Sequence, residues 1–438
     1  MTRPIAAPSS GRGHKENAAM DAATAWAEAM KFENRPNPYP YFEELRKTPV
    51  AKVSEKTYVV TGYPEALALS HDPRISSDIS RSPSGLFGEK QTHLEATEVA
   101  QARDASMLVS DPPEHDRMRR QFMRHFGPPH SPDLIPGMES MVADLANDLL
   151  DKVKARGGTR MDVVEDFSYP IPVSVIFRVL GLPIEDEPQF HAWVTDFMQG
   201  ADVGPEADTE EGRAAAAKAA TSMVELGTYV HDQIERLARE PGPGLLSAAL
   251  HDDGPDGPVS KEVAESNALL LMVAGHDSTV NTISNCVMTL LRNQGSWDLI
   301  RDHPDLIPRT IEEVQRLQGA VQFFPSRWAT ADIEIAGTRI PAGSAVFLVW
   351  AAANRDPRKF EKPDRFDPLR EGNEHLGFGS GIHTCFGGPL ARLEINVALE
   401  IFLRRVRSPR LVVDPPPYRH NQVFRGPRHL WVDFASID

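Results

Sequence analysis

The sequence predicts a mainly α-helical domain carrying a smaller β-rich lobe. Three observations lead there. The longest periodic stretch, residues 260–293, is helical, with an apolar middle and stop and start signals at Gly295 and Ser260. Residues 133–200 carry a helical pattern with few strand signals. Strand-like runs gather in two places, at residues 50–53 and 57–61 and again between residues 321 and 350, with Gly337 and Pro341-Ala-Gly343 as turns.

Composition narrows the class. A net charge of −15 argues against a general nucleic-acid binder. Two cysteines in 438 residues exclude a disulfide framework and fit a reducing cytoplasm. The longest apolar run, residues 268–274, falls far short of the ~20 residues of a membrane-spanning helix, so no membrane partner is expected. There is no signal peptide and no internal repeat. Residues 1–22 are polar and rich in Pro, Ser, Gly and Ala, and are expected to be disordered. Residues 23–438 then form one domain.

Taken in order, residues 37–46 start a helix, the two short strands follow, and residues 62–70 return to helix. Residues 74–103 are long, polar and weakly periodic, the mark of a functional or mobile loop. Residues 111–126 open with prolines and set His115 and Arg119 on one helical face, suited either to an anion or to plain solvation. Arg117, Arg120 and Arg124 face elsewhere and leave a basic patch in an acidic protein. Residues 162–183 read as a packing helix, and residues 197–209 as a loop between helices. Within the long helix, Ala274-Gly-His-Asp-Ser-Thr279 puts a carboxylate and two hydroxyls in an apolar setting, which is costly unless they are satisfied or used. Glu313 and Arg316 can pair at i, i+3, worth less than ~1 kcal/mol if exposed.

The stretch Gly377-Phe-Gly-Ser-Gly-Ile-His-Thr-Cys-Phe-Gly387 places Cys385 on a glycine-rich loop ahead of a helix whose first residue is Pro389. Glycines allow close approach to something flat or large, and helix amides lower a thiol pKa. By itself a lone cysteine could be structural, a nucleophile or an iron ligand.

The whole string Phe378-Gly379-x-Gly381-x-His383-x-Cys385-x-Gly387 resembles the haem-binding loop of the cytochrome P-450 family at every motif position. Other strings are similar to that family's motifs in the expected order. They are Asp111-Pro-Pro-x-His115-x-x-x-Arg119, Ala274-Gly275-x-Asp277-Ser278-Thr279, and Glu313-x-x-Arg316.

The resemblance covers about residues 37–434 and implies the P-450 fold, with the long helix crossing over the haem. It implies a haem-thiolate monooxygenase of the soluble bacterial branch, using haem b and dioxygen. Cys385 would be the iron ligand, its thiolate favouring O–O cleavage. His115, Arg119, Arg327 and His383 would hold the haem, with Phe378, Gly379 and Gly387 around the thiolate. Asp277 and Ser278 would deliver protons, with Thr279 as the other hydroxyl. Ser278 is a departure, since the family usually has Thr there.

Glu313, Arg316 and Arg365 would form a buried structural network. Ala274, Gly275, Val321, Phe323, Phe324, Val423 and Phe424 would line the substrate pocket, under a roof carrying Leu86, Phe87, His93 and Glu95. The substrate would be a mid-sized, mostly apolar natural product of secondary metabolism. No flavin or nicotinamide domain is present in the sequence. Electrons would come from a separate donor, a ferredoxin with its reductase, docked on the basic patch. The same haem site could instead couple or cyclise its substrate without inserting oxygen. A non-catalytic haem binder is disfavoured by the Asp277-Ser278 relay.

Overall fold

The computed structural model describes residues 20–78, 81, 106–127, 130–201, 209–293, 295–324 and 327–438. Residues 1–19 and the roof residues Leu86, Phe87, His93 and Glu95 lie outside them. Asp21, inside the stretch expected to be disordered, caps helix α1 (Ala22–Met30) by accepting from Thr24 N at 2.7 Å.

The β lobe follows. Helix α2 (Tyr39–Arg46) leads into strands β1 (Val50–Lys52) and β2 (Thr57–Val60), helix α3 (Tyr63–Ser70) and strand β3 (Ile75–Ser76). Helices α4 (Glu114–Phe126) and α5 (Glu139–Arg156), strand β4 (Arg160–Asp162) and helices α6 (Pro170–Leu180) and α7 (Glu187–Ala201) come next. Helix α7 runs through 201, past the loop start expected at 197, and residues 202–208 lie outside the described residues. Helix α8 (Glu210–Arg239) and the short α9 (Leu245–Leu250) precede α10 (Lys261–Arg292), which Ser260 caps. Helices α11 (Ser296–Asp302) and α12 (Ile307–Gln318) are followed by strands β5 (Trp328–Ala329), β6 (Ile333–Ile335), β7 (Thr338–Ile340) and β8 (Ala345–Leu348).

Residues 321–324 form only isolated bridges rather than a strand, at Val321 and Phe324. Trp350 begins a short helix, α13 (Trp350–Ala353), where a strand end was expected. Helix α14 (Gly388–Arg405) leaves the cysteine loop, and strands β9 (Val406–Arg407), β10 (Arg410–Leu411), β11 (Trp431–Asp433) and β12 (Ser436–Ile437) close the chain. The main sheet has the order β1-β2-β8-β5-β3, with β2 and β8 parallel and the other pairs antiparallel. No described helix is long and apolar enough to cross a membrane.

Helix α10 is the axis of the main core. It packs against α6, α8, α12 and α14, and most of its residues are buried. An element buried on nearly every side must be apolar all round or find partners for its polar groups. Asn267 shows the second solution, donating to Val263 O and accepting from Met107 N at 3.0 Å.

A second internal contact fixes the thiol side. Glu313 is buried and accepts from two guanidinium nitrogens of Arg316, Nε and Nη2, each at 2.8 Å. The third partner is Arg370, whose Nε reaches Glu313 Oε2 at 3.1 Å. This corrects the expectation of Arg365, whose side chain is exposed. Arg365 contributes its carbonyl, which accepts from Arg316 Nη2 at 3.2 Å and Arg370 Nη2 at 3.1 Å. Five residues of chain are needed to swing a guanidinium back to the carboxylate, and only the folded turn shows which arginine does so.

Arg370→Ala should therefore destabilise the protein by about 3 kcal/mol, because it strips one cation from a buried carboxylate. Arg365→Ala should stay within about 0.5 kcal/mol of the parent. Urea unfolding midpoints measure both, and the opposite ranking would return the side-chain role to Arg365.

Candidate active site

The cysteine loop is held at both ends. The Cys385 amide donates to Phe378 O at 2.8 Å. Gly381 has φ +73°, and a Cβ there would lie 2.0 Å from Ser70 O, so only glycine lets the loop press onto the end of α3. Pro389 sits in the first turn of α14, and the amides of Gly387 and Gly388 turn toward the sulfur.

The Cys385 thiol is unpaired and open to solvent. Protein nonetheless crowds it on enough sides that desolvation pushes its pKa up. The two amides and the charges of Arg119 and Arg392 pull it back only in part. This reverses the expectation of a thiol lowered by the helix start: burial outweighs the amides. A metal ligated by the sulfur would remove that proton outright.

A cationic group surrounds the loop. Arg119 Nη2 donates to Thr384 O at 2.7 Å. His115 is buried, its Nδ1 lies 2.8 Å from Asp116 Oδ1, and its Nε2 has no hydrogen-bond partner among the described residues. His383 Nε2 lies 2.8 Å from Ser77 Oγ, and its ring centroid is 4.5 Å from that of His115. Burial, then Arg327, His115 and Arg119, hold the His383 pKa down to about 2. Arg327 is buried over the Phe324 ring at 4.8 Å, and desolvation brings its pKa down to about 10 against the pull of Asp111. Basic groups gathered in a desolvated place suit an anion.

On α10 the geometry divides by face. Ala274 is exposed on an otherwise buried segment. Ser278, one turn on, is part-exposed and donates to Ala274 O at 2.9 Å. Thr279 is buried and donates to Gly275 O at 3.2 Å. A Cβ on Gly275 would point at Ile176 of α6, 3.4 Å away, so that glycine serves helix packing as well as space. Asp277 is buried, and Arg419 Nη1 comes within 3.7 Å of its Oδ1. His276 points the other way, edge-on to Tyr169 with centroids 4.7 Å apart.

The lining residues do not all converge. Val321, Phe324, Val423 and Phe424 are part-exposed, with Val321 bridged to Phe424. Phe323 is buried against Trp26 and Phe347, at centroid distances of 5.4 and 5.7 Å. It is therefore a core residue of the β lobe and not a pocket wall, because successive side chains on an extended segment point opposite ways. Phe378 carries the Arg392 guanidinium over its ring at 4.1 Å. Gly379 sits at φ +70°, while Gly387 is in ordinary backbone geometry.

The basic patch is also smaller than the sequence implied. Arg120 pairs with Asp256 at 2.8 Å and Arg124 with Asp252 at 3.1 Å. Sequence reasoning missed Ser77, Arg392 and Arg419. Arg392 could have been found as the basic residue one helical turn from Pro389; nothing in the sequence marks the other two.

Haem fits this set. Among the described residues no three His, Cys, Asp or Glu side chains could together hold a metal ion. A single sulfur donor in a glycine cradle suits an iron whose other ligands come from a macrocycle. Arg119, Arg327 and the unpartnered Nε2 of His115 suit its carboxylates.

The comparisons with known proteins agree. The cytochrome P450 family model matches residues 243–430. The 6-deoxyerythronolide B hydroxylase of Saccharopolyspora erythraea is 34% identical over 400 residues, covering 90% of this chain and 95% of that protein. The mycinamicin IV hydroxylase/epoxidase of Micromonospora griseorubida is 33% identical over 398 residues, covering 89% and 94%. The crystal structure of P450BioI in complex with an acyl carrier protein ligated to hexadec-9Z-enoic acid superposes with a TM-score of 0.80. Its identity is 32%, and it covers 92% of this chain and 100% of that one.

His276 makes one acid-stability prediction. Burial, with Arg419 and His191 nearby, holds its pKa down to about 3 against an ordinary 6.5. The unfolded histidine takes up a proton near pH 6.5 and the native one does not, so acid favours unfolding between those values. At pH 5 the penalty is about 2 kcal/mol. In His276→Phe the loss of stability between pH 7 and pH 5 should shrink by that amount, measured by urea unfolding at each pH. An unchanged slope would mean that His276 protonates in place.

Proposed function

The chain belongs to the cytochrome P450 family, and on that premise we propose that it hydroxylates or epoxidises a mid-sized organic substrate. Haem b is its cofactor and dioxygen its co-substrate. The observation that carries this is Cys385, a solvent-open thiol in a protein-crowded loop, flanked by Arg119, Arg327 and His115. When bound, haem supplies the electron-transfer and dioxygen chemistry.

The residues of the chain supply the rest. Cys385 holds the iron, and the amides of Gly387 and Gly388 moderate the charge on its sulfur. Arg119, Arg327 and His115 bind the propionates, and His383, fixed by Ser77, fills the space between them. Val321, Phe324, Val423 and Phe424 exclude water and orient the substrate beside Ala274.

Ser278 is the relay hydroxyl. It shares the open face with Ala274, and its proton is donated to Ala274 O, so its oxygen accepts from a water. Asp277 supplies the proton from the buried side. The relatives named hydroxylase and hydroxylase/epoxidase support the reaction type, and their substrates support a place in secondary metabolism. Electrons come from a separate donor, a ferredoxin with its reductase. With Arg120 and Arg124 engaged, exposed Arg117 is the remaining candidate for docking on α4. Two cysteines without a disulfide suit a cytoplasmic setting.

Purified protein should show a low-spin haem-thiolate spectrum, and one class among terpenoid, macrolide and aromatic compounds should move it to high spin. Cys385→Ala should abolish the thiolate spectrum; an unchanged spectrum would remove Cys385 as the ligand.

Ser278→Ala should raise the share of reducing equivalents lost as hydrogen peroxide severalfold, with haem content intact. Thr279→Ala should leave that share near the parent's. Peroxide formed per electron pair separates the two, and the reverse result would move the relay to Thr279.

A further inference from the structure

We propose that Arg419 is a positioning residue for Asp277, and that through it the turn lining the substrate pocket acts on the acid of the relay. The proposal rests on the reading of Asp277 given above.

Arg419 is buried, and Asp277 is its ion-pair partner among the described residues, at 3.7 Å. Its Nε makes no hydrogen bond among the described residues. Its neighbours on other elements are not charge partners. Burial holds His276 neutral, its pKa down to about 3, and pushes the Tyr169 hydroxyl well above its ordinary range. His191 and Glu165 lie further out, acting on His276 and Tyr169 respectively. Arg419 is thus a cation set against a buried carboxylate.

The distance matters too. At 3.7 Å the pair attracts by charge but is too long for a hydrogen bond. The guanidinium therefore acts on the carboxylate through charge.

Arg419 does not hold its own turn. That task falls to Arg425, which donates to Arg35 O at 3.0 Å and Pro36 O at 2.7 Å, and to Arg35, which donates to Gln422 O at 3.1 Å. The Arg425 amide donates to Ala320 O at 2.7 Å, and Val423 O accepts from Gln322 N at 2.8 Å. Val423 and Phe424, the pocket residues, sit four and five positions beyond Arg419 on this turn. A substrate that presses on them acts on the same short segment that sets the Arg419–Asp277 distance.

The test uses the haem-loaded protein and four variants: Arg419→Gln, Arg419→Lys, Asp277→Asn, and Arg419→Gln with Asp277→Asn. Asp277→Asn should slow turnover about a hundredfold, the low end for a lost proton donor. Arg419→Gln should slow it about tenfold with a severalfold rise in peroxide and a normal haem spectrum, and Arg419→Lys should recover most of the loss. Thermal unfolding supplies a readout apart from activity: the double variant should lose less than the sum of the two single losses. Additive losses, or a peroxide share unchanged in Arg419→Gln, would overturn the proposal. An Asp277→Asn enzyme with full turnover would remove the acid itself, and the positioning role with it, whatever the unfolding data gave. If Arg419→Gln does not fold, Arg419→Met with Asp277→Asn restoring the fold would support the pair, and no restoration would overturn it.

Discussion

One buried carboxylate organises the thiol side of the molecule. Glu313 holds Arg316 and Arg370 and accepts the Asp367 amide at 2.9 Å. Arg316 extends the network to the carbonyls of Asn354 at 2.9 Å and Pro363 at 2.7 Å. Asn354 in turn accepts the Leu376 amide at 2.7 Å, one residue before the cysteine loop begins. An ion pair at this depth is weak evidence for stability, because desolvation offsets most of its attraction. Its value here is geometric. It ties α12, the irregular segment after α13 and the start of the loop to one point. The glycines of the loop have no side chains with which to help anchor it.

Helix α10 meets the opposite demand. It must be buried to form the core and yet carry polar groups to the cleft. The solution is angular. Ala274 and Ser278 lie one turn apart on the open face, while His276 is turned to Tyr169 and Asp277 to Arg419. Each hydroxyl closes onto the preceding turn, which satisfies its donor and leaves its oxygen available. A six-residue string therefore presents different chemistry in three directions, because successive residues on a helix are about 100° apart.

What the sequence revealed and what it hid follow the same division. The cysteine loop, the start of α4 and the polar string on α10 were legible because each is local: its residues are neighbours along the chain, and spacing fixes their geometry. The failures were choices between partners distant in sequence. Arg365 and Arg370 are equally plausible on paper, and the fold of the turn selects Arg370. Phe323 and Phe324 differ only in which side of an extended segment they face. Arg120 and Arg124 looked like a docking patch until Asp252 and Asp256, over a hundred residues on, were brought against them. Arg419 left no trace at all, being one arginine among many until its distance to Asp277 was known.

The two sides of the cleft handle charge differently, and this bears on how the protein is stabilised. Beside α10 the chain compensates its own buried charge, Arg419 against Asp277. Around the loop basic groups gather instead. Arg119 and Arg327 are both pulled below their usual range by lost solvation, His383 is kept neutral by burial and then by its neighbours, and His115 Nε2 has no hydrogen-bond partner among the described residues. An anionic ligand would suit that arrangement. Whatever binds the folded site but not the unfolded chain stabilises the fold in proportion to its affinity. The propionates of haem would therefore stabilise this half of the core, so that cofactor binding would couple to folding on the loop side.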